Sequence, residues 1–331
     1  MHVETWLWWT TVLVTTAVLL FDVFIIGRRP HTPTMKESGR YLAFYIGLAV
    51  LFGLWVWWQY GSQYGGEFFA GWLTEYSLSI DNLFIFIIIM GKLAVPRQYQ
   101  QTALLVGIVI ALIMRGAFIA VGAAAIANFS WVFYVFGAFL ILTAINLARE
   151  GNDEEGGYDE PRIVRYVTRH LPVSSEWNSV KLTISENGKR MVTPMFIVVL
   201  SLGMTDLLFA LDSIPAIYGL TNEPYLVFTA NVFALMGLRQ LYFLIGDLLK
   251  RLVYLSYGLS FLLFFIGVKL VLEAMHENEL PFINGGEHIE WAPEIPIWLS
   301  LLMIVGTLAV TAVASLAKDR ADRKRADADA G

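Results

Sequence analysis

Two acidic pairs stand out in the chain, each embedded in a long apolar stretch. The first reads Glu75-Tyr-Ser-Leu-Ser-Ile-Asp81-Asn82 and the second Asp206-Leu-Leu-Phe-Ala-Leu-Asp212-Ser213. Both follow one pattern: an acid, five residues, an aspartate, then a small polar side chain. A carboxylate at the centre of a membrane-crossing helix costs roughly 2.5–3.5 kcal/mol, while each neighbouring Leu, Ile or Phe returns about 0.3–0.6. Two acids therefore cost about 5–7 kcal/mol per helix, and the chain carries two such segments. The bland reading is that each acid pairs with Arg115, Arg239 or Lys269 to hold the helices together. It suits any single acid better than all four at once.

The chemistry on offer is oxygen chemistry. Ser77, Ser79, Asn82, Thr205 and Ser213 add neutral oxygens beside the carboxylates, a donor set suited to hard divalent cations such as Mn²⁺, Mg²⁺ or Ca²⁺. There is no cysteine, and His2, His31, His170, His276 and His288 all fall outside the apolar stretches. Thiolate sites, disulfides, a Cys nucleophile, haem ligation by paired histidines and redox modulation therefore find no support. Intramembrane aspartyl hydrolysis would need two carboxyls sharing a proton at close range, and the chain is not expected to be an enzyme. Positions six apart on a helix differ by about 120° and about 9 Å, so neither segment alone can close on one ion. If the two segments run in opposite directions and cross near Leu78 and Phe209, Glu75 falls level with Asp212 and Asp81 with Asp206. Two layers of paired carboxylates are then expected, with Pro215 loosening the end of the second segment and freeing backbone carbonyls. Arg115 and Arg239 are expected to neutralise the empty cluster or gate it. Asn231 is expected to orient a ligand or to bind helix to helix. Asp22, Asn146 and Asp247 form a second tier of intramembrane polar residues.

These residues need helices in lipid to position them. Of 331 residues, 57% are apolar and 15% charged, and the mean hydropathy is +0.60; soluble domains carry about a quarter charged residues. At roughly 20 apolar residues per crossing, the chain predicts nine spans, at 6–27, 41–59, 69–91, 101–127, 131–147, 192–214, 225–248, 252–274 and 297–316. Breaks are expected at Arg28-Arg29-Pro30, Gly65-Gly66, Pro96, 151–161, Pro224 and 281–296. The first span has no basic segment before it and no cleavage site after it, so it reads as a retained helix. Lys and Arg fall after spans one, three, five, seven and nine and are missing from the N-terminus and from the loops after spans two, four, six and eight. The positive-inside rule then places the N-terminus outside and the C-terminus in the cytoplasm. The longest hydrophilic stretch, about 149–190, becomes cytoplasmic and could dock protein partners. The charged tail 318–331 is expected to fray. A net charge of −5 with no basic face argues against nucleic acid.

The acidic motifs also mark a repeat. Ala111-Leu-Ile-Met-Arg115 loosely echoes Ala234-Leu-Met-Gly-Leu-Arg239, and Tyr134-Val-Phe-Gly137 echoes Leu255-Ser-Tyr-Gly258. Spans three to five (about 67–149) thus pair with six to eight (about 191–274). Three is odd, so the copies enter the membrane from opposite sides, the inverted plan of many secondary transporters. All of this makes one all-helical transmembrane domain, 1–317, and a short tail.

The motifs Glu75-x5-Asp81-Asn82 and Asp206-x5-Asp212-Ser213-Ile-Pro215, with the nine-span layout, resemble the TerC family of tellurium-resistance-associated membrane proteins over about 6–316. The resemblance implies a multi-pass protein of the bacterial inner membrane, within a superfamily of cation and amino-acid exporters and linked to manganese export. It also implies Glu75, Asp81, Asp206 and Asp212 as metal-handling residues, with Asn82 and Ser213 beside them. The family label comes from a phenotype, and an acid-lined path would repel tellurite anions. The expected function is export of a divalent cation, Mn²⁺ first and Ca²⁺ or Mg²⁺ next, by proton antiport and without a resident cofactor. The alternative is a membrane scaffold or stress-response protein with a structural ion site.

Overall fold

A computed structural model describes residues 3–28, 34–129, 131–150, 162–170, 172–174, 177, 181–186, 189–249, 253–276 and 291–329, with 278, 280, 284, 287 and 289. Within helices and strands, the side chains of 19–28, 81, 84, 127, 150, 162, 163, 167, 185, 186, 189, 190, 245–249 and 322–329 lie outside the description. Asp22, Asp81 and Asp247 are among them.

Among the described residues, ten helices and two paired strands follow in order: α1 (Thr5–Arg28), α2 (Met35–Tyr60), α3 (Ser62–Lys92), α4 (Arg97–Asn128), α5 (Val132–Glu150), α6 (Arg162–His170), β1 (Thr183–Glu186), β2 (Lys189–Val192), α7 (Pro194–Tyr218), α8 (Pro224–Leu249), α9 (Leu255–His276) and α10 (Ile297–Asp329). Among the described residues, eight of these helices, α2 to α5 and α7 to α10, are long and apolar enough to cross a membrane. The remaining expected span is α1, a helix of 24 residues whose last ten side chains lie outside the description. Leu51, Trp58, Leu302, Val310 and Val313 point outward from α2 and α10, and only lipid can cover such a face without cost. The chain is an integral membrane protein in contact with the bilayer.

Local sequence explains the boundaries. Thr34 caps α2 through a capping box with Glu37, and Thr193 caps α7 ahead of Pro194 at its first position. The expected break at Gly65-Gly66 is absent: α3 starts at Ser62, and the chain turns instead at Gly61, with φ +96°, where a side chain would be strained. Gly65 serves packing, since a Cβ there would lie 2.8 Å from Trp57 Cα. Pro215 does not end α7, which continues to Tyr218; proline only removes the N–H that would meet the Leu211 carbonyl. The 149–190 stretch contains α6, β1 and the start of β2, and the two strands pair antiparallel with Thr183 opposite Val192. The expected frayed tail is a correction: α10 runs on to Asp329, because its Ala, Lys, Arg and Asp residues include good helix formers.

Three pairs of helices face each other in opposite directions. Along α3 and α7, Glu67 meets Thr221 and Gly71 meets Ile217. Between α4 and α8, Gln100 meets Tyr242 and Arg115 meets Asn231. Between α5 and α9, Ser260 donates to the Ala144 carbonyl at 2.7 Å, while Gly137 and Gly267 meet further along. In each pair the number rises on one helix as it falls on the other. A Cβ at Gly137 would lie 2.8 Å from the Gly267 oxygen, and one at Gly267 would lie 2.9 Å from the Gly137 oxygen. The glycine opposite Gly137 is thus Gly267; Gly258, its expected echo, packs on Thr311 of α10. Close packing is tightest between α5 and α9, between α3 and α8, and between α4 and α7. Leu83, Phe86, Leu104, Ile108, Val198 and Leu202 fill the core where α3, α4 and α7 meet.

Candidate functional site

At the centre of the α3, α4, α7 and α8 bundle lies one guanidinium. Arg115 of α4 is 1% exposed, Glu75 of α3 0% and Asp206 of α7 2%. Arg115 Nε and Nη2 donate to the two Asp206 oxygens at 3.0 and 3.1 Å, a bidentate fork that fixes both planes. Nη1 donates to Glu75 Oε1, to Asn231 Oδ1 at 2.9 Å and to Ser213 Oγ at 3.2 Å. Asn231 is held in turn, its Nδ2 donating to the Val227 carbonyl at 3.0 Å. Two acidic side chains thus share one guanidinium. The second oxygen of Glu75, Oε2, has no hydrogen-bond partner among the described residues.

Of the two expected layers of paired carboxylates, Glu75 with Asp212 is not what the helices present, and Asp81 with Asp206 rests on a side chain outside the described residues. Glu75 does fall level with the end of the second motif, but it is Ser213 that shares Arg115 with it. Asp212 is half-buried and accepts from Thr143 of α5 at 3.3 Å. One residue turns a helix by about 100°, enough to send Asp212 to α5 while Ser213 faces α3 and α4. Arg115, long enough to span two turns, joins Glu75 to Asp206, which were expected to stagger. Among the described residues, no group of three or more His, Cys, Asp or Glu is placed to hold a metal ion.

Ser77 donates to the Leu73 carbonyl at 2.6 Å, and Ser79 reaches toward Glu75 Oε1 at 3.5 Å. Asn82 is buried. Thr205 is buried beside Asp206, its hydroxyl without a partner among the described residues. Arg239 is buried on α8. Asp22 and Asp81 belong to helices, but their side chains lie outside the described residues.

Sequence reasoning missed Thr143, Glu67 and Thr221. Glu67 lies 9% exposed near the start of α3, receiving hydrogen bonds from Thr221 Oγ1 at 2.7 Å and from Gln63 Nε2 at 3.2 Å. It borders a cavity of about 900 Å³ at the end of the bundle, between the α2–α3 turn, the α7–α8 turn and the facing ends of α9 and α10. A glutamate two turns ahead of Glu75 was a usable signal.

Comparison with known proteins decides the family. The profile of the Integral membrane protein TerC family matches residues 60–323. The chain belongs to the TerC family. An uncharacterized membrane protein of Mycobacterium tuberculosis (strain CDC 1551 / Oshkosh) is 46% identical over 327 residues, covering 97% of this chain and 82% of the relative. An uncharacterized membrane protein of Myxococcus xanthus is 36% identical over 324 residues, covering 98% and 96%. Alx of Escherichia coli (strain K12), whose name proposes a membrane-bound redox modulator, is 32% identical over 314 residues, covering 92% of each chain. No solved structure matches the chain. The Arg115 cluster lies inside the segment matched by the TerC profile.

Proposed function

We propose that this TerC-family chain is a secondary transporter of the bacterial inner membrane that exports a divalent cation, Mn²⁺ first among the candidates, in exchange for protons. The observation that carries the reading is Arg115, a protein-borne cation held by Glu75, Asp206, Ser213 and Asn231 at the centre of the membrane-crossing bundle. Such a site is already matched to a cation by charge and by its oxygen donors. Withdrawal of the guanidinium would leave two carboxylates, a hydroxyl and an amide oxygen for the transported ion. Asp81 and Asp212, with Asn82, would serve the ion along its path. Protons can take the ion's place because empty carboxylates in a low-dielectric site tend to hold them.

The three antiparallel pairings support an inverted repeat of α3–α5 and α7–α9, and with it alternating access about the shared centre. A redox role through thiols has no cysteine to act on in these 331 residues. One observation favours the second reading, a scaffold with a structural ion cluster: Arg115 meets four partners at once, and buried ion triads can exist for architecture alone.

Flux into vesicles containing only the purified protein separates the two. Mn²⁺, Mg²⁺, Ca²⁺ and Zn²⁺ are compared with and without a pH gradient. Transport is expected for Mn²⁺ and to be driven by the gradient. Vesicles that move none of the four would leave the scaffold.

A further inference from the structure

The end cavity and the Arg115 cluster are joined by a column of three rungs. On α3, Glu67, Gly71 and Glu75 succeed one another at intervals of one turn; opposite them in the reverse direction stand Thr221, in the turn just after α7, and Ile217 and Ser213 on α7. The first rung is polar, with Thr221 Oγ1 donating to Glu67 Oε2 at 2.7 Å. The last is polar, with Glu75 and Ser213 on the same Arg115 nitrogen. The middle rung is apolar and tight: a Cβ at Gly71 would lie 3.2 Å from Ile217 Cγ2 and 3.5 Å from Ala230 Cβ. Beyond the first rung the cavity holds Glu67, Glu223, Glu273 and Glu294 against Lys269 and His276. Four carboxylates thus face one ammonium and one imidazole, a field that favours cations.

We infer that the cavity is the external mouth of the cation path, that Glu67 and Thr221 form an oxygen subsite for a divalent cation there, and that Ile217 seated on Gly71 is the gate between this subsite and the Arg115 cluster. The gate is one side chain thick. Glycine at position 71 lets Ile217 of α7 seat closely, and the apolar plug excludes water and ions without any charged lock. The cation reaching Glu67 trades part of its water shell for the carboxylate, already oriented by Thr221 and Gln63. The placement on the external side follows the loop charges, and the ion class rests on the proposed function.

The test needs no transport, so its failure is separable from failure of the export reading. The chain has no cysteine, and single cysteines can be labelled on intact cells with a membrane-impermeant maleimide, total protein being counted after denaturation. Asn222→Cys, in the cavity, is expected to label, and Ser213→Cys to label at least tenfold more slowly. Adding Ile217→Gly to Ser213→Cys should bring its rate to within a few-fold of the cavity position. External Mn²⁺, at an ionic strength fixed with choline chloride, should slow labelling of Asn222→Cys, and Glu67→Gln should abolish that protection. Equal labelling at positions 213 and 222 would remove the gate. So would continued protection of 213 after Ile217→Gly. Protection by Mn²⁺ that survives Glu67→Gln, or is never seen, would remove the subsite, and no labelling of 222 from outside would place the cavity on the other face.

Discussion

A guanidinium shared by Glu75 and Asp206 makes each of the three groups depend on the other two. Removing one partner from a buried ion cluster costs about 3–5 kcal/mol, because the remaining charges are stranded. Arg115→Met is therefore expected to lower the unfolding temperature in detergent clearly, and the triple variant with Glu75→Gln and Asp206→Asn to recover most of the loss. A wild-type melting curve for Arg115→Met would mean that water already compensates the acids. Asp212 behaves differently: its one described partner is the neutral Thr143, and an amide is cheaper in the membrane than a carboxylate. Asp212→Asn should keep or raise the unfolding temperature where Asp206→Asn lowers it, while both reduce cation flux. Equal destabilisation would contradict the separation of the two aspartates. The acids could be read from sequence because charge in an apolar run is expensive and hence conspicuous. Thr143 could not, since a hydroxyl in Ile-Leu-Thr-Ala costs little and can bond its own helix.

Helix direction was also legible, because matched motifs three spans apart must run in opposite directions. Rotation was not: whether Asp212 or Ser213 faces α3 depends on a single residue step, which hydrophobic pattern cannot resolve when the helix is apolar on every side. Crosslinking can read both. Cysteines introduced at 71 and 217 should form a disulfide readily, given the 3.2 Å approach at that level, whereas cysteines at 75 and 206 should not, since they are offset along the axis and joined only by a long arginine. Preferred crosslinking of 75 to 206 would show the motifs running in parallel. The α5–α9 contact makes a second demand. Gly137→Val would drive a side chain into Gly267 and Val271, while Gly47→Val on α2 meets nothing within 4 Å. The first should greatly reduce folded protein recovered by size-exclusion chromatography and the second should not; equal recovery would mean that α5 and α9 separate without penalty. Gly137 packs against Gly267 and not against Gly258, and Gly267 keeps the spacing that relates Leu140 and Ala144 to Leu270 and Ala274.

For the molecule as a whole, loop charge and hydrophobic length together fix the expected topology. A reporter fused after Arg325 should read cytoplasmic and one placed within 277–294 external. A cytoplasmic signal from 277–294 would undo both the inverted repeat and the external cavity. The helices long and apolar enough to cross a bilayer were legible because lipid tolerates so few alternatives; the helix and strands described within 149–190 and the helical tail were not, since in water both order and disorder were open. That last difference has a mechanical side. A 33-residue helix is about 50 Å long, whereas the hydrocarbon layer is about 30 Å. The final turns of α10, from Lys318 onward, therefore project past the hydrocarbon layer as a helix of mixed charge. The helix end then lies roughly 20 Å beyond the hydrocarbon layer, and energy transfer from a terminal fluorophore to a dye at the hydrocarbon boundary would measure that standoff directly.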